Sequence, residues 1–194
     1  MNTFYLIRHG EKTNEENDAV LTKRGKIQAK KTARFLSDKK ISKIISSPYK
    51  RTVETAEIIG GLLNVDIVID DRLKERMTWG SVTGQSLKGF LKEWKYSDSN
   101  RSFKPTAGVS AYNSGKKARE VMDETFISFE GQNTVYITHG GVVKELLRNI
   151  FEASELKRFE AEFPDQNGKE CSVTILNRID DRFLLEKVGY TAHL

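Results

Sequence analysis

The most constraining feature of this sequence is a regular alternation between short apolar runs and longer segments with helical periodicity. Strand-like runs lie at 3–8, 43–47, 65–69, 134–139, 171–176 and 183–188. Helical patterns lie between them at about 23–37, 48–63, 85–95, 111–129 and 141–151. This alternation predicts an α/β fold with a mainly parallel sheet. The last two runs are joined by "NRIDD" at 177–181 and fit an antiparallel hairpin at the sheet edge.

The overall composition narrows the class of protein further. A length of 194 residues suits one well-buried domain, so we take residues 1–194 as a single domain. The only cysteine, Cys171, excludes an internal disulfide and fits a reducing cytoplasm. No apolar run could span a bilayer, and no secretory signal is visible. The net charge of +5 comes without a basic stripe, so we expect a small anionic partner rather than nucleic acid.

The helical segments carry apolar stripes that predict how they pack. Ser47 is a candidate N-cap, and Pro48 suits the first helical position of the second helix. Residues three or four apart on a helix share one face, so each stripe is expected to face the core. The stripes are Val53, Ala56 and Ile59; Leu87, Phe90, Leu91 and Trp94; and Val143, Leu146, Leu147 and Ile150.

Two of the three histidines occupy matching positions at strand ends. His9 in "IRHG" and His139 in "ITHG" each follow an apolar run and precede a glycine. In a parallel sheet both would emerge at the carboxyl edge, where open α/β folds hold their ligands. Arg8 adjoins the first histidine, and Arg51 lies near the start of a helix at the same edge. Two guanidinium groups and two imidazoles around one point predict a phosphoryl site, with His9 as a nucleophile.

A metal centre is the main alternative for these residues. His9, His139 and Cys171, or a carboxylate in place of the thiol, could together bind zinc. None of these pairs has the close spacing of recognised zinc motifs, and Arg8 would repel a dication. We therefore predict a site without metal or cofactor.

Five segments in order resemble the motifs of the histidine phosphatase superfamily. They are "LIRHGE" at 6–11, "LTKRGKIQA" at 21–29, "SSPYKRTVETAE" at 46–57, "LKER" at 73–76 and "ITHGGVV" at 137–143. The resemblance is to the branch with cofactor-dependent phosphoglycerate mutases and broad phosphatases. It implies a three-layer α/β/α sandwich of the phosphoglycerate mutase type and a phosphohistidine intermediate.

The resemblance also implies a role for each site residue. It makes His9 the nucleophile, Arg8, Arg51 and His139 the phosphate ligands, and Glu75 of "LKER" the proton donor. The alternative for Glu75 is a surface carboxylate paired with a neighbouring arginine, Arg72 or Arg76. No metal is required, because the arginines supply the positive charge.

The remaining substrate ligands and the reaction are less sharply defined. Thr13 and Asn14 are candidate phosphate ligands, with Asn17 left open, and Gly140 lets the backbone approach the substrate. The segment "GVS" at 108–110 stands where relatives read "GES", which removes a carboxylate and favours a phosphatase over a mutase. We therefore expect a histidine acid phosphatase-type phosphomonoesterase. A mutase-type isomerase and a non-catalytic phosphate-binding module remain alternatives, and neither the leaving group nor the oligomeric state is predicted.

A segment at about 76–109 interrupts the alternation and predicts a small cap over the carboxyl edge. It holds six basic and two acidic residues. As a group these charges favour a substrate with a second negative charge, such as a sugar bisphosphate, a phosphoglycerate or a nucleotide. The alternative for each of Lys88, Lys92 and Lys95 is a solvated helix face.

Overall fold

The computed structural model describes residues 1–128, 131–162 and 168–194 and contains one six-stranded sheet. Its strands, in chain order, are β1 (Asn2–Arg8), β2 (Ile41–Ser46), β3 (Ile67–Ile69), β4 (Asn133–Thr138), β5 (Val173–Ile179) and β6 (Arg182–Tyr190). The order across the sheet is β3-β2-β4-β1-β5-β6. The first four of these neighbours run parallel, whereas β5 is antiparallel to both β1 and β6. The mainly parallel sheet and its C-terminal edge hairpin are therefore confirmed.

Six α-helices accompany the sheet within the described residues. They are α1 (Lys23–Leu36), α2 (Lys50–Leu63), α3 (Leu87–Ser99), α4 (Ala111–Ser128), α5 (Gly140–Ile150) and α6 (Ala153–Glu162), with a short 3₁₀ helix at Asp71–Leu73. The fourth predicted helix extended to residue 129, which lies outside the described residues. Helix α6 was not predicted, because half of its residues are charged and they show little apolar periodicity. No described helix has the length and apolar character needed to cross a membrane.

Alternate residues of β1 show why helices cover both faces of the sheet. Phe4 and Leu6 belong to one apolar cluster, which includes residues of α4 and α5. Tyr5 and Ile7 point the other way and belong to a second cluster, which includes residues of α1 and α2. A strand buried on both faces is apolar throughout, which explains the continuous run in the sequence. The result is the predicted three-layer α/β/α sandwich.

The predicted start of α2 is wrong by two residues. Tyr49 is the N-cap residue, and the helix begins at Lys50. Ser47 does not cap the helix, because its hydroxyl lies 2.9 Å from His139 Nε2. Its carbonyl oxygen accepts a hydrogen bond from the Thr52 hydroxyl at 2.8 Å. The Ser47 side chain, which the local sequence assigned to the helix cap, therefore contacts His139 instead.

The apolar stripe of α3 does not pack in the core as predicted. Leu87 and Leu91 are 46% and 54% exposed, and Ser97 is the only fully buried residue of the helix. Phe90 and Trp94 are only partly buried. Leu87, Phe90 and Trp94 line a cavity instead, and Leu91 does not, so the segment around α3 must be attached to the body of the protein by other contacts.

Charged side chains provide that attachment. The buried Arg76 guanidinium lies 4.0 Å from the Trp94 ring, and Arg76 Nη2 donates to Asp98 Oδ1 at 2.5 Å. Glu145, which is buried on α5, accepts from Arg101 Nε at 2.6 Å. The first two contacts hold Arg76 against α3, and the contact of Arg101 with Glu145 joins this segment to α5. Removal of one charge from such a buried group leaves the opposite charge without compensation.

We predict that Glu145→Ala lowers the free energy of unfolding by about 3–5 kcal/mol. Glu145 accepts from Arg101 and Arg148 and lies 3.8 Å from Arg76. Alanine at this position therefore leaves three guanidinium groups without the buried carboxylate between them. Chemical denaturation measures the change. The exposed Glu120 of α4 is the matched control, and Glu120→Ala should change the value by no more than about 0.5 kcal/mol. Equal effects of the two substitutions would contradict the prediction.

Candidate active site

The pairing of two parallel strands brings the histidines together. In the register of β1 with β4, Arg8 lies opposite Thr138, so His9 and His139 follow directly at the same sheet edge. The backbone N–H of His9 also donates to the Thr138 carbonyl at 3.0 Å. The two imidazole ring centroids lie 5.3 Å apart. This separation leaves both rings in reach of one phosphoryl group.

The surroundings of His9 determine which ring nitrogen is free. Nδ1 lies 2.8 Å from the Gly10 carbonyl oxygen, which only accepts, so Nδ1 carries the proton and Nε2 keeps a lone pair. Burial, together with the nearby charges of Arg51 and Arg8, lowers the pKa of His9 to about 3 despite this hydrogen bond. The ring is therefore neutral at physiological pH, as a nucleophile requires.

Two glycines explain why the first two motifs occur together. A Cβ atom at Gly10 would lie 2.7 Å from the Gly25 carbonyl oxygen, and one at Gly25 would lie 2.1 Å from the Glu11 carbonyl oxygen. The turn after His9 therefore packs directly on the first turn of α1. Thr22 caps this helix and also donates to Glu11 Oε1 at 2.7 Å. These contacts hold the loop that carries His9.

His139 is buried between two polar partners. Arg51 Nη2 lies 3.4 Å from Nδ1, and because a guanidinium only donates, Nδ1 is the acceptor. The opposite nitrogen, Nε2, then donates to Ser47 Oγ at 2.9 Å. Burial lowers the pKa of His139 well below its ordinary value, with further contributions from His9 and Arg51. Sequence analysis missed Ser47 because the residue was assigned to the start of α2.

Arg51 is the cation with the least compensation at this site. The residue is 4% exposed, and Nε and Nη1 have no hydrogen-bond partner among the described residues. Its Cζ lies 4.6 Å from the Tyr49 ring, and burial lowers the pKa of the guanidinium. Arg8 reaches the same cavity and pairs with Glu170 at 3.0 Å. Unpaired buried donors are costly, so an anion that accepts from Arg51 would be strongly stabilised.

Glu75 faces the same centre and is not a surface ion-pair partner. Its Oε1 accepts from the Arg76 N–H at 3.0 Å, and Oε2 accepts from the Gly141 N–H at 3.1 Å, at the start of α5. Burial raises the pKa of Glu75, although these two hydrogen bonds and the charges of Arg76 and Arg51 oppose the rise. The side chain of Arg72 pairs instead with Asp70 and Glu124, so the alternative pairing with Arg72 is absent.

Not all of the other predicted substrate ligands lie at the site. Asn14, Asn17 and Gly140 line the cavity that contains His9, whereas Thr13 does not. The cavity also contains Lys12, which was not predicted. The sequence could have indicated Lys12, because this residue directly follows "RHGE".

Lys12 adds a third cation to this end of the cavity. Its Nζ donates to the Thr13 carbonyl oxygen at 3.1 Å. Burial and the charges of Arg51 and Arg8 lower the pKa of Lys12. Three cations therefore lie around His9, and each raises the affinity of the site for an anion.

The zinc alternative has no geometric support in the described part of the chain. No group of three or more His, Cys, Asp or Glu side chains lies there in a position to hold a metal ion. Burial raises the pKa of the Cys171 thiol to about 12, which disfavours the thiolate that zinc requires.

Comparison with known proteins identifies the family. The model of the histidine phosphatase superfamily (branch 1) matches residues 4–191, so the chain belongs to this superfamily. A relative from Hydrogenobacter thermophilus, provisionally named phosphoserine phosphatase 2, is 29% identical over 159 residues, which cover 76% of this chain and 77% of the relative. A 2,3-bisphosphoglycerate-dependent phosphoglycerate mutase from Thermoplasma acidophilum is 27% identical over 180 residues, covering 89% of this chain and 85% of that protein.

A solved structure gives the same result for the fold. Bacillus stearothermophilus YhfR superposes with a TM-score of 0.78 at 23% sequence identity, covering 100% of this chain and 99% of the other. This similarity confirms the phosphoglycerate mutase-like α/β/α fold.

We predict that the unfolding free energy decreases as pH falls from about 6.5 toward about 3 and that His9→Gln reduces this decrease. The pKa of His9 is about 3 in the folded protein and near 6.5 when unfolded, so the unfolded chain binds the proton first. Denaturation at several pH values, without phosphate, measures the difference between the two proteins. His193→Gln is the comparison. The pKa of His193 in the folded protein is about 4, so His193 should contribute less than His9 to the loss of unfolding free energy at low pH. Identical pH profiles of wild type and His9→Gln would contradict the prediction.

Proposed function

We propose that this chain is a metal-independent phosphomonoesterase that transfers the phosphoryl group first to His9 and then to water. One observation carries the proposal: the free Nε2 of a neutral, buried His9 lies in one cavity with Arg51, whose buried Nε and Nη1 have no partner in the described chain. A phosphoryl group would satisfy both, because it is an electrophile at phosphorus and an acceptor at its oxygens.

In the first step, His9 Nε2 attacks phosphorus and the bond to the ester oxygen breaks. Glu75, in its protonated form, gives its proton to that departing oxygen, which leaves as an alcohol. In the second step, the Glu75 carboxylate takes a proton from water, whose oxygen attacks phosphorus as the P–N bond breaks. Inorganic phosphate and neutral His9 are the products.

Positive charge stabilises both transition states. Arg8 and Arg51 are proposed to bind the phosphoryl oxygens, with the Lys12 ammonium as an additional cation at the same end of the cavity. The neutral His139 is proposed to donate from Nδ1 to a phosphoryl oxygen in its other tautomer, in which Ser47 Oγ donates to Nε2 and Arg51 Nη2 turns to the substrate. Asn14 and the backbone at Gly140 are proposed as further substrate contacts, since both line the cavity. We propose no such contact for Thr13. The raised pKa of Glu75 favours its protonated form at acidic pH. This supports an acid phosphatase-type activity, in which Glu75 is the proton donor.

The isomerase alternative remains open because the relatives of this chain include proteins named phosphoglycerate mutase. The family's phosphatases support a hydrolase, and one feature of the sequence favours hydrolysis over isomerisation. Val109 stands in the segment 108–110 where relatives carry a carboxylate, so this chain has no carboxylate at that position for proton transfer between two substrate hydroxyl groups. The side chain of Val109 does not line the cavity. We also propose that the whole chain forms one catalytic domain, with 76–109 as its cap.

We predict that the wild-type protein releases phosphate from a chromogenic ester in the presence of EDTA and forms an acid-labile phosphoenzyme, and that His9→Ala does neither. The His9 side chain lines the cavity and belongs to neither apolar cluster, so circular dichroism should show a folded variant. Parallel assay of 3-phosphoglycerate conversion to 2-phosphoglycerate tests the isomerase. Full activity of His9→Ala, or a requirement for added metal, would contradict the proposal.

We predict that Gly141→Ala lowers kcat by about ten-fold or more, because it displaces the proton donor. A Cβ atom at Gly141 would lie 2.4 Å from Glu75 Oε1, so the carboxylate must move. Gly61→Ala is the matched control, since a Cβ atom there meets nothing within 4 Å. Steady-state kinetics on one ester compares the variants. An unchanged kcat in Gly141→Ala would argue against proton donation by Glu75.

A further inference from the structure

The cavity extends well beyond the volume that a phosphoryl group needs. Its volume is about 1500 Å³, and the catalytic residues occupy one end. Helix α5 begins at this end with Gly140 and leads away from it, presenting Val143, Leu147 and Ile150 to the cavity. At about 1.5 Å per residue, the stretch from Gly140 to Ile150 is about 15 Å long. The cavity therefore has an apolar wall that starts next to His139.

Helix α3 provides a second apolar wall. Leu87, Phe90 and Trp94 line the same cavity, at the spacing of one helix face. The Phe90 and Trp94 ring centroids lie 5.9 Å apart, and the buried Arg76 guanidinium stacks 4.0 Å from the Trp94 ring. Aromatic side chains held in this way offer apolar area with little conformational freedom left to lose. We call the five side chains of Leu87, Phe90, Trp94, Val143 and Leu147 the apolar subsite.

Three of the four basic residues that line the rest of the cavity already have carboxylate partners, and the exposed Lys157 is the fourth. Lys144 lies 3.3 Å from Asp98, and Arg101 and Arg148 lie 2.6 and 2.8 Å from Glu145. These cations are therefore largely neutralised before any substrate binds.

The lysines of α3, in contrast, do not face the cavity. Lys88, Lys92 and Lys95 are absent from its lining, and Lys92 and Lys95 border a shallow depression elsewhere on the segment. The expectation that they attract a second negative charge at the mouth of the site therefore has no support in the geometry.

We infer that the apolar subsite binds the leaving group of the substrate, which is a phosphomonoester of an apolar alkyl or aryl alcohol. This inference rests on the proposed function, because it places the phosphoryl group at His9. The wall formed by Val143 and Leu147 is continuous with the catalytic end through the first turns of α5, so one molecule can occupy both regions. Transfer of apolar surface from water to this subsite supplies the specificity.

A series of n-alkyl phosphates isolates this effect. Ethyl, butyl and hexyl phosphate have leaving groups of nearly equal basicity, so differences in kcat/KM report contacts rather than chemical reactivity. We expect kcat/KM to increase about two- to four-fold for each methylene group that the subsite covers. A hexyl ester should also exceed 3-phosphoglycerate, which carries a second negative charge. A flat series, or a higher value for 3-phosphoglycerate, would overturn the inference.

Two leucines on the same helix make a matched pair of variants. Leu87 lines the cavity and is 46% exposed, whereas Leu91 does not line it and is 54% exposed. Leu87→Ser should therefore weaken the dependence of kcat/KM on chain length, and Leu91→Ser should leave it as in wild type. Both side chains are too exposed for their loss to unfold the protein. Equal behaviour of the two variants would overturn the assignment of the subsite.

Binding of n-alkyl phosphonates separates failure of this inference from failure of the proposed function. These compounds are not hydrolysed, so calorimetry measures their dissociation constants even in an inactive protein. We expect the dissociation constant to fall as the chain lengthens in wild type and to fall less in Leu87→Ser. Absence of turnover with a normal phosphonate series would contradict only the proposed phosphatase. Turnover with a flat phosphonate series would contradict only the apolar subsite.

Discussion

The parallel pairing of β1 with β4 is the contact on which the rest of the site depends. Because Arg8 lies opposite Thr138, the two histidines leave the sheet at the same level and their rings stand 5.3 Å apart. A register shift of one residue would reverse the face of every side chain on the strand. The register is held by burial of both faces of β1, which places alternate residues in separate apolar clusters. Core packing therefore determines the geometry of a polar site.

The electrostatics of this site are unfavourable until an anion is present. Burial lowers the pKa of both histidines and of Arg51, and two guanidinium nitrogens of Arg51 have no partner in the described residues. The compensating interactions lie elsewhere, in the ion pairs of Glu145 and Asp98 that attach the segment containing α3. The protein thus separates paired charges, which hold the structure together, from unpaired charges, which are available to a ligand.

Much of the fold could be predicted because its signals are local. Continuous apolar runs indicated the strands, and both histidines were placed correctly at the sheet edge because each directly follows such a run. Helix α6 was missed because its residues are mostly polar and its position depends on tertiary contacts. Ser47 was assigned to a helix cap, yet its hydroxyl bonds to His139, which is 92 residues away in the sequence. No local pattern predicts a hydrogen bond over that distance.

The sequence alone was enough to identify the reactive side chains at the catalytic end. Each of the motifs "RHG", "SPYKR", "LKER" and "THGG" places a chemically suited side chain beside a turn or the start of a helix. Only the tertiary structure decided what surrounds them. The stripe of Leu87, Phe90, Leu91 and Trp94 has the same spacing whether it faces a core or a cavity, because periodicity defines a face and not its partner. Attachment of α3 through Arg76 and Asp98 turns part of that face toward the catalytic end. The direction of an amphipathic helix is set by its long-range contacts, which the spacing of its own residues does not contain.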